Sequence, residues 1–127
     1  MRTLNVFSRR TVPLTVGAAL AVAALSMTPA SADSGYWFSS NSGASGKWVS
    51  AGKKVTACDI RADGYMALVQ ILTINGSLVY SRTDVDVDGK CTTSHKGLFE
   101  GSYEIRVCTV KTGGRPVNCS VTHDFTV

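Results

Sequence analysis

The sequence predicts an all-β protein: a small antiparallel β-sandwich, immunoglobulin-like or Greek key, with six or seven strands and two disulfides. Three observations predict this fold. Short segments rich in apolar and β-branched residues recur along the chain. Turn dipeptides containing glycine separate them at intervals of about 8–12 residues. Four cysteines lie in the same part of the chain, as expected of a small exported domain.

Residues 1–32 have the layout of a secretory signal peptide. Three arginines precede an apolar run from Leu14 to Met27, and Ala30-Ser31-Ala32 supplies the small residues that a signal peptidase requires. The run has 14 residues, which is too short for a membrane-spanning helix of roughly 20 residues. We therefore expect cleavage before Asp33 and secretion to the extracellular space.

The charge of the exported chain is close to neutral. Of the 13 basic residues three lie in residues 1–32, so ten basic and nine acidic residues remain, a net charge of +1. A nucleic-acid-binding domain carries a basic patch, and the remaining lysines and arginines are scattered along the sequence. We expect no nucleic-acid partner, and in the absence of a second apolar run we expect no membrane partner.

Residues 33–46 are expected to form a flexible N-terminal tail, because eight of these 14 residues are Ser or Gly. Within it lie three consecutive aromatic residues, Tyr36, Trp37 and Phe38. They have two interpretations: a short first strand whose rings cover the core of the same domain, or an anchor that fills a pocket on a partner protein. The second interpretation makes these three aromatic residues the candidate partner-binding site.

The β-sandwich domain is expected to span residues 47–127. The expected strands, in order along the chain, cover residues 48–49, 55–61, 65–74, 77–87, 103–110 and 117–127, with a polar connection over 91–98. The segment 65–74 is almost continuously apolar, and its flanking glycines and β-branched residues favour a central strand over a buried helix. Asn75-Gly76 predicts a two-residue hairpin turn that places Ile71 opposite Tyr80 and Leu72 opposite Val79.

The four cysteines, Cys58, Cys91, Cys108 and Cys119, predict two disulfides, since their spacing matches no common zinc pattern. Three pairings are open. We favour Cys58–Cys91 and Cys108–Cys119, because a hairpin centred on Gly113-Gly114 places the last two cysteines opposite each other. The same register puts the apolar side chains of Ile105 and Val107 on the same sheet face as the polar Ser120 and Thr122 of the last strand. This pairing therefore also requires a β-bulge.

The sequence gives little from which to build an active site. It has two histidines, His95 and His123, and two glutamates, Glu100 and Glu104, and it lacks the Gly-x-Ser-x-Gly motif. With every cysteine assigned to a bridge there is no thiol nucleophile. We expect no catalytic residue and no cofactor.

The segment 84–89, Asp-Val-Asp-Val-Asp-Gly, is similar to the start of a calcium-binding loop. Its twelfth position is His95 in place of the bidentate glutamate. In an extended strand the three aspartates lie about 6.6 Å apart along one face. We expect no metal site, with Asp84, Asp86 and Asp88 as weak candidates, and we interpret the segment as a charged edge strand that opposes aggregation.

The stretches 54–64 and 101–108, together with the layout from Ala30 to Val127, resemble small exported two-disulfide β-sandwich proteins of actinobacteria. In immunoglobulin-like sandwiches Tyr103 would be a corner tyrosine at the entry to a late strand, although the Tyr-x-Cys spacing of true immunoglobulin domains is absent, since Cys108 comes five residues later. Some proteins of this kind are connector subunits of secreted antibacterial toxin particles, in which a short N-terminal segment docks into a second subunit. The resemblance implies a non-enzymatic adaptor whose partner is another secreted protein.

Two alternative functions follow from other features. A secreted inhibitor of an extracellular hydrolase would present the loop from Lys111 to Pro116, enclosed by the Cys108–Cys119 bridge. A carbohydrate-binding module would use Trp37, Trp48 or Tyr80 as a stacking platform.

Overall fold

The structure, a computed structural model, describes residues 32–85 and 90–127. These residues form eight strands and no helix: β1 (Trp37–Phe38), β2 (Ala44–Val49), β3 (Lys54–Asp59), β4 (Met66–Thr73), β5 (Leu78–Asp84), β6 (Thr92–His95), β7 (Ser102–Val110) and β8 (His123–Thr126). The expected signal peptide, Asp86 and Asp88 lie outside the described residues, except for Ala32.

The strands form two antiparallel four-stranded sheets, which confirms the all-β sandwich. We call β1-β2-β3-β6 sheet A and β5-β4-β7-β8 sheet B. The core lies between them and includes Ala44, Trp48, Val55, Ala57, Ala67, Val69, Ile71, Leu98, Ile105, Val107 and Phe125. In residues 32–85 and 90–127 there is no helix with the length and apolar character needed to span a bilayer.

Strand β4 is the central strand that the sequence predicts. It pairs with β5 on one side and with β7 on the other. Its residues from Ala67 to Leu72 are all buried, including the three that point away from the core. A strand covered on both faces needs apolar residues at consecutive positions, which explains the continuous run.

The β4–β5 hairpin confirms one of its two predicted pairs. Ile71 lies opposite Tyr80, but Leu72 pairs with Leu78, because a β-bulge intervenes and leaves Val79 without a partner across the strands. A two-residue turn of the expected kind needs a positive φ at both central positions. Here Gly76 has a φ of 81° and Asn75 does not share that conformation. The Gly76 N–H donates to the Thr73 carbonyl, so the loop is longer by a residue.

Strand β6 lies in the segment that was expected to be a polar connection, and that expectation was wrong. Its inward side chains are hydroxyls: Thr92 Oγ1 donates to Asp84 Oδ1 at 2.7 Å, and the Ser94 and Tyr80 hydroxyls lie 2.6 Å apart. Hydrogen bonding to β5 therefore takes the place of apolar packing, and no apolar alternation marks this strand in the sequence.

Both predicted disulfides, Cys58–Cys91 and Cys108–Cys119, are present. The last strand is shorter than expected, because β8 covers residues 123–126 and residues 117–122 are irregular. Ile105 pairs with His123, whereas Thr109 bridges Val117. Six residues on one side thus match four on the other. The two extra residues are an even number and leave the side chains on the same faces. The conflict of faces is resolved near the turn, where Thr109 lies opposite Val117 in place of Cys108 opposite Cys119, a shift of one residue that puts Phe125 on the core face.

Residues 33–46 do not form a separate tail, and the expected boundary at residue 47 falls inside β2. The serines make internal hydrogen bonds. Ser34 bonds Trp48 through both its N–H and its hydroxyl, and the Ser39 hydroxyl accepts from the N–H groups of Gly43 and Ala44. A Ser/Gly-rich composition is therefore compatible with an ordered segment here, because the hydroxyls satisfy the backbone that a flexible linker would leave to water.

Candidate functional site

The three aromatic residues at the N-terminus divide between the two faces of sheet A. Trp37 pairs with Gly46 and packs on the core as a half-buried side chain. Its ring is parallel to that of His123, with 3.4 Å between centroids, and Nε1 donates to the Ser34 carbonyl. Trp37 thus follows the first interpretation, a short strand that covers its own core.

Tyr36 and Phe38 lie on the outer face of sheet A and are exposed. Their rings meet edge to face at 5.7 Å. The Lys47 ammonium lies 5.3 Å from the centre of the Tyr36 ring, a cation–π contact. The hydroxyl of Tyr36 lies against Cys58 Sγ. The proposed binding of a partner by residues 36–38 stays a prediction.

Asp84, the described member of the aspartate segment, is buried at the end of β5. Its Oδ2 accepts a hydrogen bond from the Asp59 N–H at 2.8 Å, and its Oδ1 accepts from Thr92. This carboxylate therefore joins sheet B to two strands of sheet A. Among residues 32–85 and 90–127, no group of three or more His, Cys, Asp or Glu is arranged to hold a metal ion.

We expect Asp84→Ala to lower the free energy of unfolding by about 2–3 kcal/mol, because a buried N–H and a hydroxyl lose their acceptor. Urea denaturation followed by circular dichroism measures it. Asp124→Ala, at an exposed position of β8, is the matched control and should change stability by less than about 0.5 kcal/mol. Equal effects of the two variants would contradict the structural role of Asp84.

A second candidate surface lies at one end of the sandwich, formed by the loops 50–53, 74–77 and 96–101. We call it the Phe99 end. The loops are neighbours: the Lys96 N–H donates to the Lys53 carbonyl at 2.7 Å, and the β4–β7 pairing brings Thr73 opposite Tyr103.

Large apolar side chains are exposed at the Phe99 end. Phe99 is 89% exposed, Ile74 64% and Leu78 57%. Exposed apolar side chains are common on proteins one at a time, but several together indicate an interaction surface.

The backbone that carries Phe99 is held in place. Leu98 is buried in the core, the Tyr103 hydroxyl donates to the Phe99 carbonyl at 3.0 Å, and Gly101 exchanges two hydrogen bonds with Val127. The Tyr103 contact is that of a corner tyrosine, as expected. The exposure of the Phe99 ring is thus set by an anchored loop.

Three lysines lie in or directly beside the loops of the Phe99 end. Lys53 and Lys54 are exposed, and the Lys96 ammonium extends over the ring of Tyr80, 5.5 Å from its centre. Two acids lie at the same end, Glu100 and Asp33. The Asp33 carboxylate accepts hydrogen bonds from the N–H and hydroxyl of Ser50.

Sequence reasoning missed the Phe99 end. The available signal was an aromatic residue, Phe99, followed by Glu-Gly-Ser between two expected elements. Lys53 and Lys96 are 43 residues apart in the sequence, and the pairing of β3 with β6 brings them to the same end of the sandwich.

The comparisons with known proteins give one finding about fold. No family model matches the chain, and no curated protein matches its sequence. It is similar in structure to an endonuclease/exonuclease/phosphatase from Beutenbergia cavernae DSM 12333, with a TM-score of 0.45 and 20% identity. The similarity covers 66% of this chain and 23% of that chain. It assigns no activity to this protein.

The function predicted from the sequence is corrected on this finding. No comparison supports an adaptor or connector subunit. The adaptor function and its inhibitor and carbohydrate-binding alternatives are therefore not retained. The two disulfides indicate that the protein works in an oxidising environment.

Proposed function

We propose that the protein is exported and attaches to an anionic lipid surface through the Phe99 end, acting by binding without catalysis. The observation that carries the proposal is the 89% exposure of Phe99 on an anchored loop beside lysines. Peripheral membrane proteins combine apolar side chains that enter the interface with basic residues that meet anionic headgroups.

The energetic contributions favour reversible attachment. Burial of a Phe, Leu or Ile side chain contributes about 1.5–3 kcal/mol, and each lysine near an anionic surface contributes about 1 kcal/mol. The Phe99 end offers three side chains of each kind, and the lysine contribution is partly offset by Glu100 and Asp33. Salt should weaken the lysine contribution and leave the apolar one.

The position of the N-terminus supports this orientation. The Ala32 N–H donates to the Thr126 carbonyl, beside the Gly101–Val127 pair, so the preceding chain joins the domain at the Phe99 end. The apolar run from Leu14 to Met27 belongs to that preceding chain. This segment holds an exported chain at the membrane until a signal peptidase cleaves it. While it is held there, the chain presents the Phe99 end to the lipid.

The state of the cysteines and histidines supports binding over catalysis. All four cysteines are in disulfides, and His123 is stacked on Trp37. His95 pairs with Lys54 at the edge of sheet A. The expectation of no membrane partner rested on the absence of a second apolar run, and a run in the sequence does not report which side chains are exposed together in the folded domain.

Co-sedimentation with lipid vesicles tests the proposal. We expect the exported chain to sediment with vesicles of phosphatidylglycerol and phosphatidylcholine, and to stay in solution with phosphatidylcholine alone. Phe99→Ala should weaken binding about tenfold or more, from the lost burial of one ring. Lys53→Glu should weaken it and reduce its salt dependence.

Matched controls lie away from the Phe99 end. Val121→Ala removes another exposed apolar side chain, and Arg115→Glu reverses an exposed charge in the turn beyond β7. Both should bind as the wild type does. Failure of the wild type to bind anionic vesicles at millimolar lipid, or equal losses in Phe99→Ala and Val121→Ala, would overturn the proposal.

A further inference from the structure

The Cys58–Cys91 disulfide is accessible from one side. It joins the end of β3 to the segment before β6, on the outer face of sheet A. Cys91 is exposed, whereas Cys58 is only 3% exposed. A thiolate from solution can therefore reach the Cys91 sulfur, and the Cys58 sulfur is the one that would leave.

The leaving sulfur already has a hydrogen-bond donor. The Tyr36 hydroxyl lies 3.0 Å from Cys58 Sγ, and because a disulfide sulfur carries no proton, the tyrosine is the donor. Tyr36 in turn accepts a hydrogen bond from the buried Ser45 hydroxyl at 3.0 Å. That bond occupies a lone pair on the tyrosine oxygen and leaves its proton for Cys58.

From this arrangement we infer that Cys91 is a thiol-exchange site for small extracellular thiols. The attacking thiolate forms a bond to Cys91 Sγ, the Cys58–Cys91 bond breaks, and its electron pair goes to Cys58 Sγ. The products are a mixed disulfide on Cys91 and a Cys58 thiolate, so one thiolate is consumed and one is produced, and no oxidant or reductant beyond the thiol is needed.

The Tyr36 hydrogen bond should accelerate this step. A hydrogen bond to an ionised acceptor is roughly twice as strong as one to a neutral group, so the Tyr36 bond strengthens as charge develops on Cys58. The Lys47 ammonium beside the Tyr36 ring adds positive charge to the same region. Exchange is faster when the leaving thiolate is better stabilised.

The second disulfide provides an internal comparison. Its inner sulfur, Cys108, is fully buried, and Cys119 is half-buried. Among the described residues no hydroxyl donates to either of these sulfurs. Exchange at Cys119 should therefore be slower than exchange at Cys91.

The experiment is incubation of the exported chain with reduced glutathione, acid quench, alkylation and peptide mapping by mass spectrometry. We expect the glutathione adduct on Cys91 first. Tyr36→Phe should slow its formation about tenfold, the effect of losing one hydrogen bond to a charged sulfur, and leave the rate at Cys119 unchanged. Tyr65→Phe, whose ring contacts Lys111, is the control and should react like the wild type.

Two results would overturn the inference. One is an adduct that forms on Cys119 or on Cys58 before Cys91, which the wild type alone reveals even if the Tyr36 variant does not fold. The other is an unchanged rate in a folded Tyr36→Phe protein, since that would leave the hydroxyl with a structural role. The thermal midpoint of the variant, measured with both bridges intact, separates lost stability from a slower exchange.

Discussion

Trp48→Ala should lower the free energy of unfolding by about 3–5 kcal/mol, the cost of a large cavity in a packed core. Trp48 is fully buried on β2. Its ring packs against Phe125 of the opposite sheet at 5.4 Å, and its Nε1 donates to the Lys96 carbonyl at 3.3 Å. The variant therefore loses contact between the sheets, and the Lys96 carbonyl of the loop that leads to Phe99 loses its hydrogen-bond donor.

Equilibrium urea denaturation followed by far-UV circular dichroism measures this loss. Fluorescence is not used, because Trp37 remains in the variant and its emission would report a local change. Phe38→Ala is the matched control, since it removes an exposed aromatic side chain from the same sheet. The control should cost less than about 1 kcal/mol. A loss below this value in Trp48→Ala would contradict the assignment of Trp48 to the core.

Gly46→Ala should destabilise the protein by about 2–3 kcal/mol or more, since an added methyl group has no space. A Cβ at this position would overlap Val69 Cγ2 and would lie 2.8 Å from the Thr56 carbonyl oxygen. That carbonyl belongs to the β2–β3 pair, so it cannot move away without loss of strand pairing. Thermal unfolding followed by calorimetry measures the effect.

Gly97→Ala is the control for Gly46→Ala. A Cβ at Gly97 would meet only the Lys53 side chain at 3.9 Å, an ordinary contact, so the change should be within about 0.5 kcal/mol. Neither glycine has a positive φ, and the two variants therefore differ in packing alone. Similar midpoints for both would contradict the close approach of the sheets at Gly46.

The parts of the fold that depend on apolar periodicity could be predicted from the sequence. The central strand β4 and the pairing of Cys108 with Cys119 follow from local patterns. Strand β6 could not, because its place is set by hydroxyl contacts to Asp84 and Tyr80, which are tertiary. For the same reason the ordered conformation of residues 33–46 could not be predicted, because its serines form hydrogen bonds with the protein backbone rather than with water.

The candidate surfaces show the same limit. The sequence identifies Tyr36, Trp37 and Phe38 as unusual, but their division between core and surface depends on the pairing of Trp37 with Gly46. The exposure of Phe99 depends on Tyr103 and on the buried Leu98. Composition predicts neither arrangement, because both depend on tertiary contacts between residues that are not adjacent in the sequence.

The lengths of the outer strands have a consequence for the behaviour of the protein at high local concentration. In the described parts of the chain, the strands at the sheet edges have two residues in β1 and four in each of β6 and β8. Strand β5 has seven, but three of its side chains, Tyr80, Arg82 and Asp84, are directed toward sheet A. The three short edge strands offer little backbone for a second chain to pair with, and the inward charged side chains of β5 oppose pairing at the fourth edge, so both features protect the protein from edge-to-edge aggregation.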